Sequence, residues 1–149
     1  MSAYQTILVG TDGSQSSLAA VAKAAELAAD SQAKLVIVCA YYPMRGRDMA
    51  RAQDQLGDEA YQIVGSAPAE DTLQTARDRA LAHGAVDLQT IAVQGEPVPT
   101  LVRAGQDAAA DLVVVGNRGL RSLAGRLLGS VPADVARRSG TDVLIVHTT

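Results

Sequence analysis

Three glycines at set intervals carry the clearest chemistry in this chain. Two residues separate Gly116 from Gly119, nine more lead to Gly129, and Ser130 and Val131 follow directly. Where a backbone must wrap an anion, glycine removes the Cβ that would block approach and opens the positive-φ conformations such turns use. Ser130 is placed to cap a helix, and a helix N-terminus presents roughly half a positive charge to whatever lies before it. Arg118, Arg121 and Arg126 add full charges, and no acidic residue interrupts the stretch from Gly116 to Val131. The chemistry suited to this segment is phosphate binding. The bland alternative is an ordinary strand-to-helix connection, which requires neither the spacing nor the arginines. Leu120, Leu123, Leu127 and Leu128 need burial, so part of the segment is expected to pack as a turn.

A second polar turn, Gly10-Thr11-Asp12-Gly13-Ser14, follows the apolar run Thr6–Val9. Asp12 or Ser14 can cap the helix that comes next, which is reason enough for either residue. Functionally, Asp12 at a crevice rim would accept hydrogen bonds from ribose hydroxyls or hold a metal ion. The segment is neither a Walker A loop nor a Gly-x-Gly-x-x-Gly fingerprint, since the lysine and the glycine spacing are missing. A P-loop NTPase and a dinucleotide dehydrogenase are therefore disfavoured. His83 reads as a helix end and His147 as part of the last strand, neither with a nucleophile or metal-ligand spacing beside it. No acid pair is arranged for proton transfer. No residue is assigned a catalytic role, and binding is favoured over turnover.

The elements that must position these turns are legible in the apolar pattern. Thr6–Val9, Lys34–Ala40, Leu88–Val93, Leu112–Val115 and Val143–Val146 are near-continuous aliphatic runs, as parallel strands buried on both faces appear. Helical stripes alternate with them: Leu18, Val21, Ala22, Ala25 and Ala28; Ala69, Leu73, Ala76 and Ala80, closed by Gly84; and Val98, Leu101, Val102 and Gly105 after Pro97. A last helix is expected from Ser130 to about Arg138. This α/β alternation predicts one domain over residues 1–149, an open five-stranded parallel sheet in the order 3-2-1-4-5 with helices on both faces. Ligands of such sheets bind beyond the carboxyl ends of the strands where the winding reverses, here between strands one and four. Both polar turns fall at that place.

Two further expectations concern the periphery. Pro43–Pro68 is long and polar for a connection, yet Met49, Ala52, Leu56, Ala60 and Ile63 keep helical spacing, as in an amphipathic helix, a lid or an arm to a partner. The apolar last strand, Val143–Val146, would stand at an open sheet edge, which invites a two-fold homodimer.

Bulk properties restrict the partners. The net charge of −3 argues against a nucleic-acid binder, because only the glycine segment is basic. The longest apolar run, Leu35–Tyr42, falls far short of the ~20 residues of a membrane span. Cys39 is the single cysteine and lies in an apolar run, so a buried thiol in a reducing, cytoplasmic setting is expected, with no prosthetic group.

Val-Gly-Thr-Asp-Gly-Ser near the start and Gly116-x2-Gly119-x9-Gly129-Ser130 near the end make the chain resemble the universal stress protein family. The likeness takes in Asp111-Leu-Val-Val-Val-Gly before the glycine segment and Gly129-Ser-Val-Pro-Ala-Asp-Val after it. Ala-Gly-Arg-Leu-Leu-Gly-Ser-Val-Pro-Ala and Asp-Val-Leu-Ile-Val-His-Thr look like an actinobacterial branch. The resemblance implies the adenine nucleotide alpha hydrolase-like fold and a dimeric, nucleotide-binding stress or signalling protein. Members with the full glycine spacing generally bind ATP, and the actinobacterial branch includes cyclic AMP binders, so both ligands stay open. By position, Gly10, Thr11 and Asp12 would meet adenine and ribose, with backbone at Ala40 near the base. Gly116, Gly119, Gly129, Ser130 and Val131 would hold phosphates, with Asn117 and Arg118 alongside. Tyr41 and Tyr42 would adjust the base pocket or pack in the core. The other readings are a slow ATPase or autophosphorylating enzyme on the same site, and a flavin-binding electron carrier, for which flanking aromatics are scarce.

Overall fold

The computed structural model describes residues 3–43, 65–117 and 131–148. The strands are β1 (Thr6–Gly10), β2 (Lys34–Tyr41), β3 (Leu88–Gln94), β4 (Leu112–Gly116) and β5 (Asp142–Val146). Between them run α1 (Gln15–Ser31), α2 (Ser66–Ala82), α3 (Pro97–Asp107) and α4 (Val131–Arg138). All strand pairs are parallel and the order is β3-β2-β1-β4-β5, as the alternation predicts.

Alternate residues of the central strands feed two separate cores, the consequence of a side-chain period of two. Ile7, Val9, Leu35, Ile37, Leu112 and Val114 point into the layer built by α1 and α2. Leu8, Val36, Val38, Val113 and Val115 point into the other, closed by Val98 and Leu101 of α3 and Val135 of α4. The α1 and α2 stripes are rich in alanine, and Ala20, Ala24, Ala25, Ala69, Ala76 and Ala80 are fully buried. Small side chains bring these helices close to the sheet and leave the branched residues of the strands to fill the layer.

Full burial on both faces holds for β1, β2 and β4 only. The outer strands β3 and β5 are half-buried, because among the described residues each has a strand on one side only. Pro97 starts α3 behind Glu96, and Gly84 (φ +101°) and Gly140 (φ +69°) follow the ends of α2 and α4. Of the irregular segment read at Pro43–Pro68, residues 66–68 belong to the first turn of α2, and positions 44–64 with their helical spacing lie outside the described residues. Among the described residues no helix is long and apolar enough to cross a membrane.

Side chains staple the amino ends of the strands. The Asp111 carboxylate accepts from the N–H groups of Gln5 (2.9 and 3.2 Å) and Thr6 (3.0 Å). Its own N–H donates to the Thr6 carbonyl at 3.0 Å. The Tyr4 hydroxyl donates to Asp142 at 3.0 Å, tying the entry of β1 to that of β5. Partial burial pushes the Asp111 carboxyl up, but the N–H bonds from Gln5 and Thr6 outweigh it and hold it below its ordinary 3.8. A carboxyl lowered on folding stabilises the fold above its unfolded value, and that stabilisation is lost as pH falls through the folded value. Asp111→Asn should therefore lower the melting temperature at pH 7. The gap to wild type should narrow as the pH is taken from ~5 to below ~3 in a series of thermal melts.

Candidate functional site

β1 and β4 pair directly, with Ile7 opposite Leu112 and Val9 opposite Val114, so the turns leaving them emerge side by side. The first turn is fixed by its own short polar side chains. Thr11 N–H donates to the Val38 carbonyl of β2 at 2.9 Å, carrying the ladder one residue past β1. Thr11 Oγ1 accepts from Gly13 N–H (3.1 Å) and Asp12 Oδ1 from Ser14 N–H (2.9 Å). Both are the local side-chain-to-backbone bonds that Thr and Asp favour in turns. Gly13 sits at φ +83°, a conformation glycine adopts without strain. Of the two capping candidates, Ser14 is the N-cap, accepting from Ser17 N–H at 3.2 Å. Ser17 Oγ donates to the Ser14 carbonyl (2.9 Å), so in the 2.9 Å contact between Ser17 and Thr11 the Thr11 hydroxyl is the donor. Asp12 is thus carried on a turn whose shape is set before any ligand arrives.

The second turn starts at Gly116 and Asn117. A Cβ on Gly116 would lie 3.0 Å from Ser16 Oγ and 3.3 Å from the Ser16 carbonyl, so the exit of β4 is seated against the first turn of α1. Asn117 N–H donates to the Val146 carbonyl at 2.9 Å. Its Oδ1 accepts from both the N–H and the hydroxyl of Thr148 (2.9 Å each), and Nδ2 lies 2.9 Å from His147 Nδ1. The Thr148 hydroxyl also meets Ser16 Oγ.

Gly10, Thr11, Asp12, Gly116 and Asn117 are therefore brought together. Ala40 lies near the carboxyl end of β2, half-buried, paired with Val93 of β3. Val131 opens α4. Arg118, Gly119, Gly129 and Ser130 lie outside the described residues. Tyr41 packs on the core beneath α1 and α2, and Tyr42 is half-buried beside Glu96, burial chiefly and that carboxylate secondarily raising its phenol.

Sequence reasoning missed three features. Gly10 serves α3 as well as any ligand, since a Cβ there would come within 2.6 Å of Leu101 Cδ2. Ser16 and Thr148 do not stand out by type or spacing. His147, read as part of the last strand, stands just past it with its ring on Asn117. Parallel topology was the available signal for Thr148 and His147, because whatever follows β5 must emerge at the same sheet end as Gly116.

Burial first, then the charges of Asp12 and Glu70, push the Cys39 thiol up to about 12. Cys39 is fully buried and protonated at neutral pH, hence no nucleophile. Among the described residues no three His, Cys, Asp or Glu side chains gather to hold a metal ion.

The family model described as "Universal stress protein family" matches residues 3–147. The chain belongs to that family. The Mycobacterium tuberculosis universal stress protein Rv1636 is 52% identical over 149 residues, the whole of both chains. A universal stress protein crystallised in complex with cyclic AMP superposes with a TM-score of 0.80 at 51% identity, covering 99% of this chain and 100% of that one. A universal stress protein from Archaeoglobus fulgidus in complex with dAMP, at 20% identity, a TM-score of 0.67 and coverage of 95% and 97%, shows the shared fold.

The close seat of Gly116 gives this universal stress protein a testable weak point. Gly116→Ala should cost about 1–3 kcal/mol in urea unfolding, because the Ser16 carbonyl is backbone and yields little. Gly140→Ala, with open space around the added methyl, gives a control in which only the φ of +69° is strained.

Proposed function

We propose that this chain binds an adenine nucleotide, cyclic AMP or ATP, in the crevice between β1 and β4, and that it acts by binding rather than by turnover. The observation that carries the reading is the meeting of the two turns: Asp12 held on a pre-shaped loop, with Gly116 against the first turn of α1. In this reading Gly10, Thr11 and Asp12 face adenine and ribose, with the Ala40 backbone near the base. Gly116, Gly119, Gly129, Ser130 and Val131 hold phosphate, with Asn117 and Arg118 beside them. The half-identical relative crystallised with cyclic AMP makes that nucleotide the first ligand to try. ATP would bring Mg²⁺, and a lone Asp12 carboxylate fits such an ion only as one ligand among the nucleotide's own phosphate oxygens.

Calorimetric titration with cyclic AMP, and with ATP in the presence and absence of Mg²⁺, tests the reading. At least one of them should bind below millimolar. Asp12→Ala should weaken binding about tenfold or more, the size expected when a charged acceptor loses its hydroxyl partners. Failure of every nucleotide to bind, or equal binding by Gly119→Ala, sinks the assignment.

The partner reading is a homodimer through Val143–Val146. It is supported by the position of β5 at the sheet edge and by Ile145, 36% exposed in an otherwise aliphatic strand. Sedimentation velocity should give a dimer for the wild type and a monomer for Ile145→Lys.

A further inference from the structure

Ser16, Asn117, His147 and Thr148 come from three different parts of the chain and share one hydrogen-bonded chain. Its direction follows from the available protons. Thr148 N–H is an obligate donor, so the Asn117 atom it meets is the carbonyl oxygen, and the amide nitrogen faces His147. The Thr148 hydroxyl also donates to that oxygen, which leaves Ser16 as donor to Thr148. The Asn117 amide in turn donates to His147 Nδ1, which accepts in this bond. Ser16, Thr148, Asn117 and His147 thus pass donors in one sense, an arrangement in which each bond polarises the next. Asn117 N–H is fixed as well, by the Val146 carbonyl.

Neither His147 nor Thr148 belongs to the two turns assigned to the ligand. We propose that they are positioning residues of the nucleotide site: the segment after β5 clamps Gly116–Asn117 against the first turn of α1 and so sets the angle at which the chain leaves β4. This inference rests on the nucleotide-binding reading given above. It also assigns the Asn117 side chain to holding this clamp.

The chemistry makes Thr148 the informative position. Thr148→Val keeps the shape of the side chain but removes the donor to Asn117 and the acceptor for Ser16. Thr148→Ser keeps both. Titrated with cyclic AMP at 20 °C, where circular dichroism confirms a folded protein, Thr148→Val should bind about five- to tenfold more weakly, the loss expected for one or two neutral hydrogen bonds. Thr148→Ser should bind within about twofold of wild type. His147→Ala, which removes the acceptor at the other end of the chain, should weaken binding in the same direction and gives a second route if Thr148→Val does not fold. Wild-type affinity in both Thr148→Val and His147→Ala, with only a lower melting temperature, assigns the network to stability alone and overturns the proposal. A wild-type protein that binds no adenine nucleotide overturns instead the reading on which it rests.

Discussion

The pairing of β1 with β4 is the constraint on which the site depends. A parallel sheet that starts in its middle grows first to one side, through β2 and β3, and then returns past β1 to add β4 and β5. No connection bridges β1 and β4 directly, so the carboxyl ends of these two strands are the place where turns diverge and leave room. At the opposite end of the same pair, the Asp111 carboxylate holds Gln5 and Thr6, and the Asp111 N–H reaches the Thr6 carbonyl. One end of the pair is thus tied by a carboxylate, while at the other the two strands give way to polar turns.

At the open end, rigidity is obtained locally. The side chains of Thr11, Asp12, Ser14 and Ser17 satisfy one another and their own backbone, so the first turn holds its shape without help from bulky residues. Glycine's part is broader than clearance for a ligand. Gly10 admits Leu101 of α3 and Gly116 admits Ser16 of α1, one helix from each face of the sheet. The same missing Cβ atoms that suit an anion also let two helices close on the strand ends.

Much of this was legible in the sequence. The strand order, the stripes of the helices and the meeting of the first turn with Gly116 and Asn117 follow from aliphatic runs, alternation and the handedness of crossovers, which are properties of types and spacing. The hydrogen-bonded chain at Ser16, Asn117, His147 and Thr148 was not legible. Ser and Thr carry no periodic signal, and their partners lie more than a hundred residues apart in the case of Ser16 and Thr148. The half-exposed character of β3 was likewise hidden, because Leu88, Ile91 and Val93 read as a buried run until the strand's place at the edge is known. Tyr41 shows the same limit: its packing on the α1 and α2 layer is decided by register, and register is invisible to composition.

Cys39 carries a practical corollary. With its sulfur sealed beneath α1 and α2 and protonated across the physiological range, it will ignore maleimides, iodoacetamide and mild peroxide while the fold is intact. A fluorophore or spin label attached to a cysteine introduced on the surface would then report from a single position, with no need to strip the native thiol from the core first. The same silence turns slow alkylation of Cys39 into a clock for the rare openings that expose the interior of this layer.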